Sequence, residues 1–243
     1  MKTNANAIII ALAVVISAFL FSNAFQNRNQ SNDTISVTGL GKKDFVSDLI
    51  VWSGSFSRKS FTLKEAYAAL DTDRENIKKY LISKGIGADE IVFSAVNFNK
   101  DFQTTYNENG TTREQIFTGF TLTQNVSIQS KNVNKIEEIS RQSSELINSG
   151  IEFYSNAPEY YYTKLAELKI KMIAEATKDA QTRAKSIAEN AGADLGNLKK
   201  SDMGVFQITG QNSSEDFSYG GSFNTSSKNK TANITVKLVY QVD

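Results

Sequence analysis

The stretch Ala174-Glu175-Ala176-Thr177-Lys178-Asp179-Ala180-Gln181-Thr182-Arg183-Ala184-Lys185-Ser186-Ile187-Ala188-Glu189-Asn190-Ala191-Gly192 decides the fold class. Ala176, Ala180, Ala184 and Ala188 recur every four residues, which sets them along one slowly drifting stripe of a helix. Charged and polar residues fill the other faces, as on a solvated helix surface, and Gly192 breaks the run. Leu165, Leu168, Met172 and Ile187 lie on or beside the stripe. Side chains this small let another element come close. That element is either the domain's own sheet or a second subunit, so Ala176, Ala180, Ala184 and Ala188 are candidate interface residues as well as candidate core.

Working back from this helix, Pro158, the only proline, introduces it, and a short strand, Ile151-Glu152-Phe153-Tyr154, precedes it. Tyr160, Tyr161 and Tyr162 stand near its start. Three consecutive tyrosines cannot all face one core, so at least one is expected to be exposed as a contact residue, against partly buried packing for the rest. Val133, Ile136, Ile139, Leu146 and Ile147 form the stripe of a helix over about 134–148, stopped by Gly150. Upstream lie two long strands. The first, 91–102, shifts its apolar phase from Phe93 and Ala95 to Val96 and Phe98, the mark of a bulge. The second carries Phe120, Leu122, Val126 and Ile128 in alternation. Asn107-Glu108-Asn109-Gly110 between them suits a hairpin turn.

Thr62-Leu63-Lys64-Glu65 has the form of a capping box. Leu63, Ala66, Tyr67, Leu70, Ile77 and Leu81 continue it at helical spacing, and Gly85 suits a left-handed cap. Strands over 34–40 and 47–57 open the folded part, the second carrying Trp52, read as a packing residue. Downstream of the long helix, a strand is expected within 197–208. A mobile loop rich in Gly, Ser and Asn follows over 209–228, and then a last strand with Ile234, Val236, Leu238 and Tyr240 on one side. The order, roughly ββα-ββα-βα-ββ, predicts an α+β fold. Its sheet is largely antiparallel, with helices packed on one face, behind an N-terminal hydrophobic helix.

The 243 residues contain no Cys and no His. Disulfides, thiol nucleophiles and the commonest base and transition-metal ligand are therefore absent. Adjacent acidic residues such as Glu137 and Glu138, or the pair Asp71 and Asp73, do not face each other on a helix and make poor catalytic dyads. We assign no catalytic, cofactor-binding or metal-binding residue. With 27 basic against 26 acidic residues the net charge is +1, which gives no footprint for nucleic acid.

Lys2 precedes an apolar run from Ala7 to Phe21, and Ser22-Asn23-Ala24 resembles a cleavage site. Residues 1–25 read as a signal peptide cleaved after Ala24 or as a retained signal anchor, tethering the chain to the inner membrane through residues 5–24. A buried helix of the domain is the remaining alternative. Residues 26–33 read as a polar linker, and 34–243 as the folded domain.

Three features in order carry a resemblance: Ile35-Ser36-Val37-Thr38-Gly39-Leu40-Gly41, the Gly85-Ile86 step before a strand, and the alanine-rich helix with Ala191-Gly192 followed by Leu195-Gly196. Together they resemble SIMPL-domain proteins over nearly all of 34–243. Val46-Ser47-Asp48 departs from that family's usual Pro-Asp after the first strand. The resemblance implies an envelope or periplasmic protein without established catalytic residues. One branch, similar to a periplasmic immunogenic protein, forms ring- or channel-like oligomers, and links to envelope or oxidative stress are associations of the family. The expected function is thus a non-enzymatic exported scaffold on the periplasmic side that forms a homo-oligomer. The alternative is a periplasmic binding module for a peptide or lipid-like ligand, with 209–228 as a lid. A His-independent enzyme ranks last.

Overall fold

The computed structural model describes residues 2–29, 33–110, 112–216 and 218–242, with side chains in the first helix over 9–25. That helix, α1 (Lys2–Asn29), exposes every side chain described in it, Val15, Phe19 and Phe21 among them. It is therefore not a buried helix of the domain. Among the described residues no helix is long and apolar enough to cross a membrane. The expected linker begins as helix, since α1 continues to Asn29, and its residues 30–32 lie outside the described residues.

The chain continues through β1 (Thr34–Val46), β2 (Leu49–Ser60), α2 (Leu63–Ser83), β3 (Ile91–Phe93), β4 (Asn97–Tyr106) and β5 (Thr112–Ser130). Then come α3 (Val133–Gln142), α4 (Glu145–Asn148), β6 (Phe153–Ser155), β7 (Glu159–Tyr161) and α5 (Leu165–Asn190). The last elements are β8 (Leu195–Met203), β9 (Gln207–Gly210), β10 (Ser222–Phe223) and β11 (Asn229–Val242). The α+β class holds, but the strands form two sheets rather than one. The first runs β1-β11-β9-β10 with β8 also on β11. The second runs β3-β5-β2-β6 with β4 on β5 and β7 on β2. Each has its own core. Pairing is antiparallel except between β9 and β10.

In the first sheet β1 pairs with β11 along its whole length, from Thr34↔Gln241 to Val46↔Asn229. One face presents Val37, Ile234, Val236 and Leu238 to α5. Helix and strand come unusually close there because β1 carries glycine at the contact. A β-carbon on Gly39 would lie 2.1 Å from the Ala176 carbonyl oxygen and 2.4 Å from the Ala180 nitrogen, and one on Gly41 2.5 Å from the Met172 carbonyl oxygen. Ala176, Ala180, Ala184 and Ala188 are all 0% exposed. The stripe is thus core of its own domain, and its interface reading is corrected: small residues on both sides let helix and sheet close without leaving room for a second chain. The outer edge of β1 is guarded, with the Leu40 N–H donating to Asp179 at 2.9 Å. That bond holds the Asp179 carboxyl below the usual carboxylate range, against partial burial and with help from Arg183.

In the second sheet α2 and α3 cover one face, around Trp52, Phe56, Leu70, Ile77 and Ile136. The Trp52 indole N–H donates to Ser155 Oγ at 3.0 Å. The α2 cap is as read, with the Glu65 N–H donating to Thr62 Oγ1 at 3.3 Å. The Glu65 carboxylate accepts from Ser60 Oγ at 2.7 Å instead of closing the box on Thr62. The bulge in the first long strand is a break: between Phe93↔Val126 and Asn97↔Thr123, residues 94–96 face 124–125, one residue too many. The expected helix over 134–148 is divided into α3 and α4.

The loop over 209–228 holds a short strand, β10, and covers Lys230, whose side chain is fully buried. Its ammonium donates to the Asn224 carbonyl and, at 3.2 Å, to Asn224 Oδ1. Burial pushes its pKa down from 10.5 to about 8, and Glu215 offsets this only in part. A folded-state value below the unfolded one makes the cost greatest below pH 8 and removes it as pH climbs towards 10.5. Urea unfolding of wild type and Lys230→Met at pH 7.5 and pH 10 will therefore differ in slope. Between these pH values the wild type should gain about 1–3 kcal/mol relative to the variant. Parallel pH profiles would contradict this.

Candidate interaction surface

The residues singled out in sequence for contact are largely withdrawn from solvent. Tyr160 is buried on β7, pairing with Ile50 rather than starting a helix. Its hydroxyl donates to Glu137 at 3.2 Å, and burial, then Glu137, raises its pKa. Tyr161 donates to Glu159 at 2.9 Å, and Tyr162 packs on Phe45 with ring centres 4.8 Å apart. None of the three is fully exposed. The acidic residues weighed as dyads are occupied too: Asp73 is buried against Arg58, and Asp71 pairs with Arg74 at 2.8 Å. Among the described residues no group of carboxylates is placed to hold a metal ion.

The exposed apolar surface lies elsewhere, on a ribbon formed by β4 and the first half of β5. The last pair between β2 and β5 is Ser60↔Phe120, so residues 112–119 pair with β4 alone. Opposed residues of an antiparallel pair share a face. Phe98↔Leu122, Lys100↔Phe120 and Phe102↔Phe117 therefore continue the face on which Leu122 enters the core. Phe117 and Phe120 are three apart and would normally face opposite ways. A register shift at Thr118-Gly119 brings both to one side, and Gly119 adopts φ +130° there. Their rings stand 5.1 Å apart.

The aromatic series grows out of the core: Phe120 to Phe117, then Phe117 to Phe102 at 5.8 Å and to Phe61 at 6.5 Å. Helix α2 begins only at Leu63, so this end of the face lies uncovered. Phe61, Phe98 and Phe102 are 70%, 55% and 51% exposed, with Tyr67 beside them also exposed. The opposite face is mostly polar, although Ile116 lies on it. Asp101 accepts from Thr121 at 2.6 Å and pairs with Lys59 at 2.8 Å, and these, Lys59 first, hold its carboxyl below the ordinary range. An isolated two-stranded ribbon is marginal in water, and the outer edge of β4 has no strand beside it among the described residues.

Residues 35–240 match SIMPL, described as a protein of unknown function (DUF541). The chain belongs to the SIMPL family. No match is found among curated proteins. The SIMPL match begins in β1 and ends in β11, so both sheets and the aromatic ribbon lie within it, while α1 lies outside. It agrees with the resemblance carried by Ile35–Gly41, Gly85-Ile86 and the alanine helix. Asp48 accepts the Thr163 N–H and hydroxyl, each at 2.7 Å. Its part is structural, fastening the β1–β2 corner to the approach to α5.

Proposed function

We propose that this SIMPL protein is a non-enzymatic scaffold of the cell envelope that self-associates on the periplasmic side. An export segment, cleaved or retained as an anchor near the inner membrane, brings it there. The observation that carries the reading is the uncovered aromatic face of the 97–119 ribbon. Contiguous apolar surface of this kind marks an association site, and an unpaired edge offers strand-to-strand hydrogen bonds. The partner that fits is a second copy. A two-fold axis beside β4 sets its unpaired edge antiparallel to the same edge of a second copy and joins the two aromatic faces into one layer. The apolar, solvent-facing helix α1 supports the export reading.

The test is the mass of the full chain in a non-ionic detergent, by light scattering. The expected result is an oligomer that Phe102→Glu converts to a folded monomer. A wild-type monomer at high concentration would sink the proposal.

A second reading, a binding module for a peptide or lipid-like ligand, is favoured by one observation. On the face of the first sheet opposite α5, an open cleft of about 520 Å³ is lined by Leu40, Val205, Tyr219 and Thr235. Tyr219 belongs to the 209–228 loop, where a lid would lie. Thermal stabilisation by one class of envelope peptide or lipid, abolished by Leu40→Asp, would favour this reading.

A further inference from the structure

The β1–β2 corner, the N-terminus of α3 and the approach to α5 surround a second, polar cleft of about 520 Å³. It sits where the chain crosses between the two sheets. Ser47 lines it, is 4% exposed, and has a hydroxyl with no hydrogen-bond partner. The Ser47 N–H is already used, donating to the Lys228 carbonyl at 2.9 Å. A buried hydroxyl left unpaired is costly, so a group that fills this cleft with acceptors has something to gain.

The neighbours divide into satisfied and unsatisfied. Asp48, the one carboxylate in the lining, has both oxygens engaged by Thr163. Lys228 donates to Asn134 Oδ1 at 2.6 Å and to Glu137 at 2.9 Å. Lys131 and Lys164 also line the cleft, and among the described residues neither ammonium stands within ion-pair distance of a carboxylate. The helix α3 starts in the same wall and turns its positive dipole end towards the cleft, although its own cap already takes the Lys135 N–H on Asn132 Oδ1 at 3.3 Å and the Val133 N–H on the Lys131 carbonyl at 3.0 Å. The donors left over are the Ser47 hydroxyl and the ammonium groups of Lys131 and Lys164.

We propose that this cleft binds a phosphate group. Lys131, from the half built on the second sheet, and Lys164, from the half built on the first, hold it from two sides. The Ser47 hydroxyl donates to one oxygen and the positive end of the α3 dipole lies behind the group, an arrangement suited to a tetrahedral oxyanion. The bound group ties the two halves together at their crossing point. The phosphate is either free or that of a lipid head group.

Calorimetric titration of the full chain in non-ionic detergent, at constant ionic strength, tests this with two probes. Inorganic phosphate represents the free anion, and dimethyl phosphate the diester of a lipid head group. Saturable binding is expected, weakened about tenfold or more by Ser47→Ala and by the double variant Lys131→Gln/Lys164→Gln. Both variants stay folded by circular dichroism, since one removes an unpaired hydroxyl and the other alters two exposed side chains. Tighter binding of the diester identifies a membrane lipid as the source, and tighter binding of inorganic phosphate a soluble one. No saturable heat with either probe, or undiminished binding in either variant, overturns the proposal.

Discussion

Replacing Gly39 by alanine is expected to destabilise the domain by about 3 kcal/mol or more, at the upper end of what overpacking costs. The added carbon would meet the Ala176 carbonyl oxygen and the Ala180 nitrogen at 2.1 Å and 2.4 Å. Both are backbone atoms of a helix, so no side-chain rotation relieves the clash. Either α5 lifts away from β1, or the strand buckles out of its pairing with β11. Urea unfolding of Gly39→Ala beside Gly220→Ala makes the comparison. A carbon on Gly220 meets nothing within 4 Å, so that change should stay within about 0.5 kcal/mol of wild type. The same geometry predicts that Ala180→Glu abolishes folding rather than splitting an oligomer. A folded Ala180→Glu monomer would show that the alanine stripe is not core.

Arg58→Met should cost about 3–5 kcal/mol, the range for stranding one member of a buried pair. Arg58 reaches from β2 to Asp73 on α2 through Nε and Nη2, the latter 2.8 Å from Oδ1, and also donates to the Gly150 carbonyl at 2.8 Å. The two side chains differ in their alternatives. That of Asp73 is 4% exposed and that of Arg58 36%. Without Arg58 the carboxylate has nowhere to go, whereas without Asp73 the guanidinium can still meet water. Arg58→Met should thus be worse than Asp73→Ala, and Arg58→Met/Asp73→Leu should recover part of the loss. Chemical denaturation of the three variants checks the order. Equal costs for the two single changes would mean that the pair is not buried as described.

The local features were legible in the sequence because their causes are local. Thr62 and Glu65 mark the start of α2, and Gly85, Gly150 and Gly192 take positive φ where their helices stop. The every-fourth alanine pattern correctly identified one face, but periodicity alone cannot say what covers it. That depended on Gly39 and Gly41 from the far end of the chain. Tyr160 to Tyr162 were misplaced for a related reason. Next to Pro158 they look like the approach to a helix, yet Leu49–Val51 offered an open strand edge, and pairing prevailed. The two-sheet division escaped notice because nothing near β1 reveals that its partner is β11. The aromatic ribbon was hidden by spacing. Phe117 and Phe120 fall out of alternation, and only the Thr118-Gly119 bulge brings them onto one face with Phe102.

The pairing of β1 with β11 also constrains the order of events as the chain is made. Thr34 finds its register opposite Gln241, so the first sheet cannot close until the final strand has emerged. The second sheet, by contrast, is complete once Tyr161 is available. A ladder joining the two ends of a domain closes its largest loop last, and such non-local topology slows folding. During synthesis the middle of the chain can collapse while β1 and the alanine face of α5 wait unpartnered. Under the export proposed above, that delay would keep the first sheet open until β11 has crossed, so full cooperativity would arrive only at the end of passage.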